Sequence, residues 1–240
     1  MDPPGRAIVF ALSAMSIWCL LSEFYGLCSM RTFVLWVLIP AMILLTIMAV
    51  LDRAKGDRRL FRAVLIGALA GFVAACAYDL FRLPWVVGHA HKIGPAWLRL
   101  PLFRVFPQFG AMILSQPFTS QQSSNAYSLS AHVVGWIYHF SNGMTFGIMY
   151  MALIGDALKR SWLWAIALAA GLELMMLLTP YTTFFAIRIT ALFIAVTLTA
   201  HVIFGLTHLA RGPRVSPLGP LAKWMQRRSL INFQLSLAGT

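Results

Sequence analysis

The chain has 240 residues and a net charge of +12, with 60% hydrophobic and 11% charged residues. Its mean hydropathy of +0.77 excludes a soluble domain, because no soluble fold could hide so much apolar surface, and favours several membrane spans. Such a positive charge would suit nucleic acid in a soluble protein, but here the basic residues lie between apolar stretches, as membrane topology requires. We therefore expect no nucleic-acid partner, and we expect contacts with membrane lipids, including anionic headgroups at the cytoplasmic face.

The apolar stretches predict an all-α, polytopic membrane helix bundle of about six transmembrane helices. In chain order the predicted spans are residues 8–27, 32–51, 63–78, 130–154, 161–178 and 186–209. They form one transmembrane domain, residues 1–210, and a basic, Pro-containing cytoplasmic tail follows at residues 211–240.

A long outer loop is predicted at residues 79–129. Five prolines exclude one continuous helix there, namely Pro84, Pro95, Pro101, Pro107 and Pro117. Within the loop, the stretch PAWLRLPLFRVFPQFGAMIL alternates bulky apolar residues with arginines, which is typical of an interfacial or re-entrant segment.

The distribution of basic residues predicts the orientation. The loop DRAKGDRRLFR, residues 52–62, places five Lys and Arg between two spans, which marks the cytoplasmic side. With six spans and both termini inside, thirteen Lys and Arg lie on the inner side and six on the outer side. This count predicts a multi-pass protein of a bacterial inner membrane with both termini cytoplasmic.

The fourth predicted span, SAHVVGWIYHFSNGMTFGIMYMALI, is the one around which we expect the other spans to be arranged. At about 100° per residue, its polar and small residues share one face. This face comprises His132, His139, Asn142, Gly143, Phe146, Gly147 and Tyr150. Imidazole and carboxamide groups have no water to bond within lipid, so we expect this face to contact protein.

The fourth and sixth spans share a short pattern, His139-x-x-x-Gly143 and His201-x-x-x-Gly205. Both histidines lie near the middle of their spans, and Glu173 lies at a similar depth in the fifth. We therefore predict a buried polar cluster of His139, Asn142, Glu173, His201 and His208, in which His139, Glu173 and His201 converge.

Two interpretations of this cluster stay open. It is either a functional site, such as a proton relay, a transition-metal site or a pair of axial haem ligands, or a set of hydrogen bonds between closely packed helices. Close packing is favoured by glycines at four-residue spacing. These helix-packing residues are Gly67, Gly71, Gly143, Gly147 and Gly205.

The remaining charged residues predict one ion pair, and no common enzyme motif is found. Asp79 and Arg188 are predicted at outer span ends, where we expect a structural ion pair. The sequence contains none of the common hydrolase, zinc-protease or nucleotide-binding motifs, and it lacks paired carboxylates. An enzyme is therefore not favoured, although catalysis by another constellation stays open.

Three strings carry a resemblance to known proteins: AGFVAACAYDLFRLP, GWIYHFSNGMTFGIMY and AHVIFGLTHLARG. With them, residues 63–210 resemble small bacterial inner-membrane proteins of unknown function, the YagU-like group among them. This resemblance implies a bundle of a few helices with H-x-x-x-G repeats, and it implies no activity or cofactor.

Three functional hypotheses follow. The leading one is a non-catalytic subunit or scaffold of a larger inner-membrane complex, with other membrane subunits or a second copy as partners. The second is a transporter or channel for protons, metal or a small solute that uses the buried His/Glu cluster. The third is a haem- or metal-binding electron-transfer subunit with His139 and His201 as ligands.

Overall fold

The structure is a computed structural model that describes residues 3–119, 123–155 and 159–207. All of its regular elements in these residues are helical. The helices are α1 (Pro3–Phe24), α2 (Met30–Ala54, with a π-helical stretch at Val34–Leu38), α3 (Arg59–Ala90), α4 (Val105–Ile113), α5 (Leu129–Leu153), α6 (Leu163–Leu178) and α7 (Ala191–Thr207). Single helical turns occur at Ala96–Leu98, Leu102–Arg104, Ser124–Ala126 and Tyr181–Phe184.

The chain divides into two units, Met1–Leu209 and Ala210–Thr240. The second unit contains the predicted tail, and it lies outside the described residues, as does His208. Everything below therefore concerns the helical unit.

The all-helical class is confirmed, and three of the described helices are long and apolar enough to cross a membrane: α1, α2 and α3. Their lengths and composition indicate a membrane protein. Helices α6 and α7 are also apolar but shorter, with 16 and 17 residues. Helix α5 has the length of a span, 25 residues, but it contains His, Asn, Ser and Thr side chains in its central turns.

The polarity of α5 is explained by its position at the centre of the bundle. It packs against α1, α3 and α4, and α3 in turn packs against α2 and α7, while α6 packs on α7. A helix that is covered by others on several sides does not need lipid-compatible side chains on those sides. Asn142 and Thr145 are accordingly buried, and Ile137 is exposed.

Several polar residues are buried and many large apolar residues are exposed in the described bundle. Ser13 and Ser16 of α1 are fully buried, whereas Trp36, Ile43 and Ile47 of α2 point outward. The hydroxyl of Ser16 lies 2.7 Å from that of Thr145 on α5. Such an arrangement is the reverse of a soluble protein, and it fits helices whose outer faces contact lipid.

Helices α3 and α5 cross with their backbones in contact. A Cβ atom added at Gly67 would lie 2.8 Å from the carbonyl oxygen of Gly147, and one added at Gly71 would overlap the carbonyl of Gly143. As the residue number rises along α3 it falls along α5, so the two helices are antiparallel. Only glycine permits this distance between the helix axes.

One prediction about the outer loop, the end of the third helix, needs correction, and one of the two alternatives predicted for a segment within the loop does not fit. The third span was expected to end near Tyr78, but α3 continues through Pro84 to Ala90. Proline removes one backbone hydrogen bond and bends a helix, but it need not end a helix that neighbouring helices support.

The second difference concerns α4, which sequence analysis placed in an interfacial or re-entrant segment. Its residues 105–111 are all buried, because Gly110 packs on the backbone of Ala131 and Gly135 packs on that of Phe106. An interfacial helix would leave one face exposed to lipid, so that alternative does not fit.

Candidate functional site: two carboxylate–histidine pairs

The first pair joins α3 and α5. Nε2 of His139 donates to Oδ2 of Asp79 at 2.8 Å, and Nη2 of Arg82 donates to Oδ1 of the same carboxylate at 2.6 Å. Asp79 is 7% exposed and Arg82 is 5% exposed. The carboxylate is therefore held by one fixed cation and one imidazole within the bundle.

Asp79 was predicted to pair with Arg188 at the end of a span, and this prediction needs correction. Because α3 extends to Ala90, Asp79 lies about 16 Å from the end of the helix at 1.5 Å per residue. Arg82 follows three residues later on the same face of the helix and is its natural partner. Arg188 makes no ion pair with any described residue.

The second pair joins α6 and α7. Nδ1 of His201 donates to Oε2 of Glu173 at 2.7 Å, and the hydroxyl of Thr197 donates to Oε1 at 2.8 Å. Glu173 is 4% exposed and Thr197 is 1% exposed. His139, Glu173 and His201 were predicted to converge. The structure brings Glu173 and His201 together, whereas His139 forms its hydrogen bond with Asp79.

Both pairs are built in the same way. In the first, Gly143 packs on Ala75, where an added Cβ would lie 2.7 Å from the Cβ of the alanine. His139 lies four residues before Gly143 on α5, Asp79 lies four residues after Ala75 on α3, and these two side chains form the hydrogen bond. One turn of helix separates the close contact from the polar one, and the antiparallel direction keeps the two in register.

In the second pair, Gly205 packs on the backbone of Ala165 and on Ala169, with a distance of 3.5 Å from an added Cβ to the Cβ of Ala169. Again one turn further, His201 meets Glu173. The pattern His-x-x-x-Gly on one helix thus faces Ala-x-x-x-Asp or Ala-x-x-x-Glu on its partner. The shared pattern noticed in the sequence is therefore half of a motif whose other half lies on α3 and α6.

The ring of Tyr78 connects the two pairs. Its centroid lies 5.0 Å from that of His201 and 6.4 Å from that of His139, and the guanidinium of Arg82 lies 4.0 Å above the ring. The imidazole of His139 also stacks on the ring of Phe106 in α4, with 4.2 Å between the ring centroids. The buried helix α4 therefore fixes the orientation of the imidazole.

A cavity of about 130 Å³ adjoins both histidines. Its lining includes Tyr78, Arg82, His139, Asn142 and His201. The Oδ1 atom of Asn142 and the Nε atom of Arg82 are buried and have no hydrogen-bond partner among the described residues. Buried polar atoms of this kind are usually satisfied by water, and the cavity is large enough to hold water molecules. The predicted cluster residue Asn142 therefore faces the same cavity as the histidines.

The charges of the site balance when it holds one proton. Arg82 is permanently charged, Asp79 and Glu173 are acids, and both imidazoles can be neutral. With neutral imidazoles and ionised carboxylates the net charge is −1, so one bound proton makes the site neutral. In a low-dielectric interior this balance avoids the desolvation of an uncompensated charge. A single proton shared among these groups would therefore leave no uncompensated charge in the site.

These residues do not fit a haem held by His139 and His201. A hydrogen bond from one imidazole nitrogen to a carboxylate leaves the other nitrogen available for a metal, but aromatic rings pack at 4.2 and 5.0 Å from the two imidazoles. The adjoining cavity is well below the ~300–1,000 Å³ of typical cofactor sites. In the described part of the chain, no group of three His, Cys, Asp or Glu residues is placed to share a metal ion.

Sequence analysis missed Tyr78, Arg82 and Phe106. The spacing Asp79-x-x-Arg82 is a signal for a pair on one helical face, but it was overlooked because the span was ended before Pro84. No comparable signal existed for Phe106, since it reaches His139 only through the tertiary packing of α4 on α5.

Comparison of the chain with known family models, curated proteins and solved structures gave no match. The resemblance to the YagU-like group therefore stays a hypothesis based on three short strings.

Proposed function

We propose that the protein is a multi-pass transport protein that moves protons, alone or together with a small solute, through its buried polar site. The observation that carries this proposal is the double motif: two carboxylate–histidine pairs meet at Tyr78, beside one cavity that both histidines line. Ionisable groups inside a membrane are costly and typically mark ion or proton pathways. Packing alone would require the glycines and alanines but neither carboxylate.

The repeated motif gives a second line of support. Many transporters consist of structural repeats with the binding site at their interface. In this chain α3 with α5 forms one such unit and α6 with α7 the other, and Tyr78 of the first contacts His201 of the second. Under the proposed topology the two units run in the same direction through the membrane.

That topology has six spans with both termini in the cytoplasm of a bacterial cell. The three long helices are supplemented by α5, α6 and α7, of which α6 is about 24 Å long at 1.5 Å per residue. That length requires local thinning or flanking polar residues at the bilayer surface. The buried helix α4 supports a re-entrant segment that enters and leaves on the outer side.

The test is proton flux into proteoliposomes loaded with a pH-sensitive dye, driven by a potassium diffusion potential. We expect flux above that of protein-free liposomes, and we expect Glu173→Gln to abolish this excess because the amide cannot exchange a proton with His201. His132→Asn is the matched control, since His132 contacts the carbonyl of Ser124 away from the site. Wild-type flux in Glu173→Gln, or no flux in the native protein, would refute proton transport.

A role as a subunit or scaffold is the second proposal. It was based on small-residue faces, but those of α3 and α5 pack against each other within the chain. A partner subunit would therefore have to contact the outward apolar faces, such as that of α2 with Trp36 and Ile43. Purification in mild detergent with mass determination distinguishes the two, because a lone monomer that conducts protons leaves no need for a scaffold role.

A further inference from the structure

A groove of about 620 Å³ lies beside Tyr78 and Arg82 of α3, next to the cavity described above. It lies between α3, the segment Ala96–Val105 and the segment Ala186–Phe193. Four arginines line it: Arg82, Arg99, Arg104 and Arg188. No carboxylate lines this groove in the ranges that the structure describes.

Two of these arginines are held by neutral acceptors. Arg99 donates to the backbone oxygens of Lys92 and Gly94, and Arg104 donates to that of Phe185 at 2.9 Å. Backbone carbonyls orient a guanidinium group without neutralising its charge. These arginines are therefore fixed in place and still fully cationic.

The remaining two differ in burial. Arg82 is 95% buried, since only 5% of it is exposed, and Asp79 is its one carboxylate partner in the described residues. The Nε atoms of Arg82 and Arg104 are buried and find no acceptor among those residues. Arg188 is exposed and makes no ion pair within them. The groove thus combines the unused N–H donors of Arg82 and Arg104 with arginine charges that no carboxylate of the described residues compensates.

We propose that this groove binds an oxyanion of the phosphate class, either on a soluble solute or on a lipid headgroup. Like charges in a shared groove repel, and an anion that accepts several guanidinium hydrogen bonds removes this repulsion. The planar guanidinium matches two oxygens of a phosphate at once, which gives the arginines an advantage over lysines. The inference is independent of proton transport, because it concerns binding at equilibrium without a gradient.

The experiment measures binding to the full chain in nanodiscs of phosphatidylcholine, with inorganic phosphate as the probe and chloride as the reference anion. We expect phosphate to raise the melting temperature of the wild-type protein by preferential binding to the folded state. Arg188→Gln should weaken phosphate binding by about tenfold or more, the typical worth of a charged hydrogen bond. Arg31→Gln is the matched control, because Arg31 is an exposed arginine that does not line the groove.

A lipid source is distinguished by native mass spectrometry of protein extracted from membranes that contain phosphatidylglycerol. Retention of this lipid by the wild type and Arg31→Gln, but not by Arg188→Gln, assigns the site to a headgroup. Arg188→Lys should fall between wild type and Arg188→Gln in both assays, because lysine keeps the positive charge but cannot bind two phosphate oxygens through a planar guanidinium. Arg188 makes no ion pair with the residues that the structure describes, so its replacement breaks no such contact within the fold. Arg104→Gln provides a second variant once its circular dichroism matches the wild type. Equal phosphate affinity and equal lipid retention in all variants, or neither signal in the wild type, would overturn the proposal.

Discussion

Removing the charge of Asp79 tests whether Arg82 depends on this carboxylate. In Asp79→Asn the side chain keeps its shape, but the guanidinium, 5% exposed, loses the anion that it contacts at 2.6 Å. Breaking a buried pair by neutralising one partner costs about 3–5 kcal/mol. For a chain of this size each kcal/mol corresponds to about 2–4 °C in the melting temperature, so we expect a decrease of roughly 6–20 °C.

The assay is thermal unfolding in detergent, monitored by circular dichroism, for a set of three variants. The double variant Asp79→Asn/Arg82→Met removes both charges, and it should recover most of the loss because no uncompensated ion stays buried. The control Asp57→Asn breaks the surface pair with Arg59, whose side chains are 57% and 71% exposed, and it should change stability by less than about 1 kcal/mol. If Asp79→Asn is no more damaging than Asp57→Asn, or if the double variant is as unstable as Asp79→Asn, the argument from buried charge is wrong.

Two further predictions concern packing and access. Gly71→Ala should destabilise the protein by about 1–3 kcal/mol, because its Cβ would overlap the carbonyl of Gly143. The control Gly171→Ala lies at a position with open space and should be neutral or stabilising by up to about 1 kcal/mol. Equal effects of the two variants in a melting experiment would disprove the close helix contact. Cys28 should react with a water-soluble maleimide much faster than Cys19, which is 0% exposed and packed in the apolar core. The reaction rates are measured by mass shift, with Cys28→Ser as the control. Comparable rates for the two cysteines would show that the region around Cys19 opens to solvent.

Local patterns in the sequence predicted much of the helical framework. The fifth helix was predicted at residues 161–178 and is observed at Leu163–Leu178, since an apolar run with Glu173 as its one charged residue has few alternatives to a helix in lipid. The polar face of α5 was also predictable, because helical periodicity alone places His139, Asn142 and Gly143 on one side. Glu173 and His201 were singled out for a related reason: their charge or polarity at mid-span has to be compensated by a partner.

The sequence by itself indicated an all-helical membrane protein and the inward face of α5, because hydrophobicity and helical period are properties of each segment alone. Only the tertiary structure decided the partners: Asp79 meets His139 and Arg82 rather than Arg188, Glu173 meets His201, and Phe106 orients an imidazole 33 residues away in the sequence. The physical reason is that periodicity fixes the face of a helix but not its neighbours. Neighbours depend on the glycine contacts that set the register of each helix pair and on packing that carries α3 past Pro84.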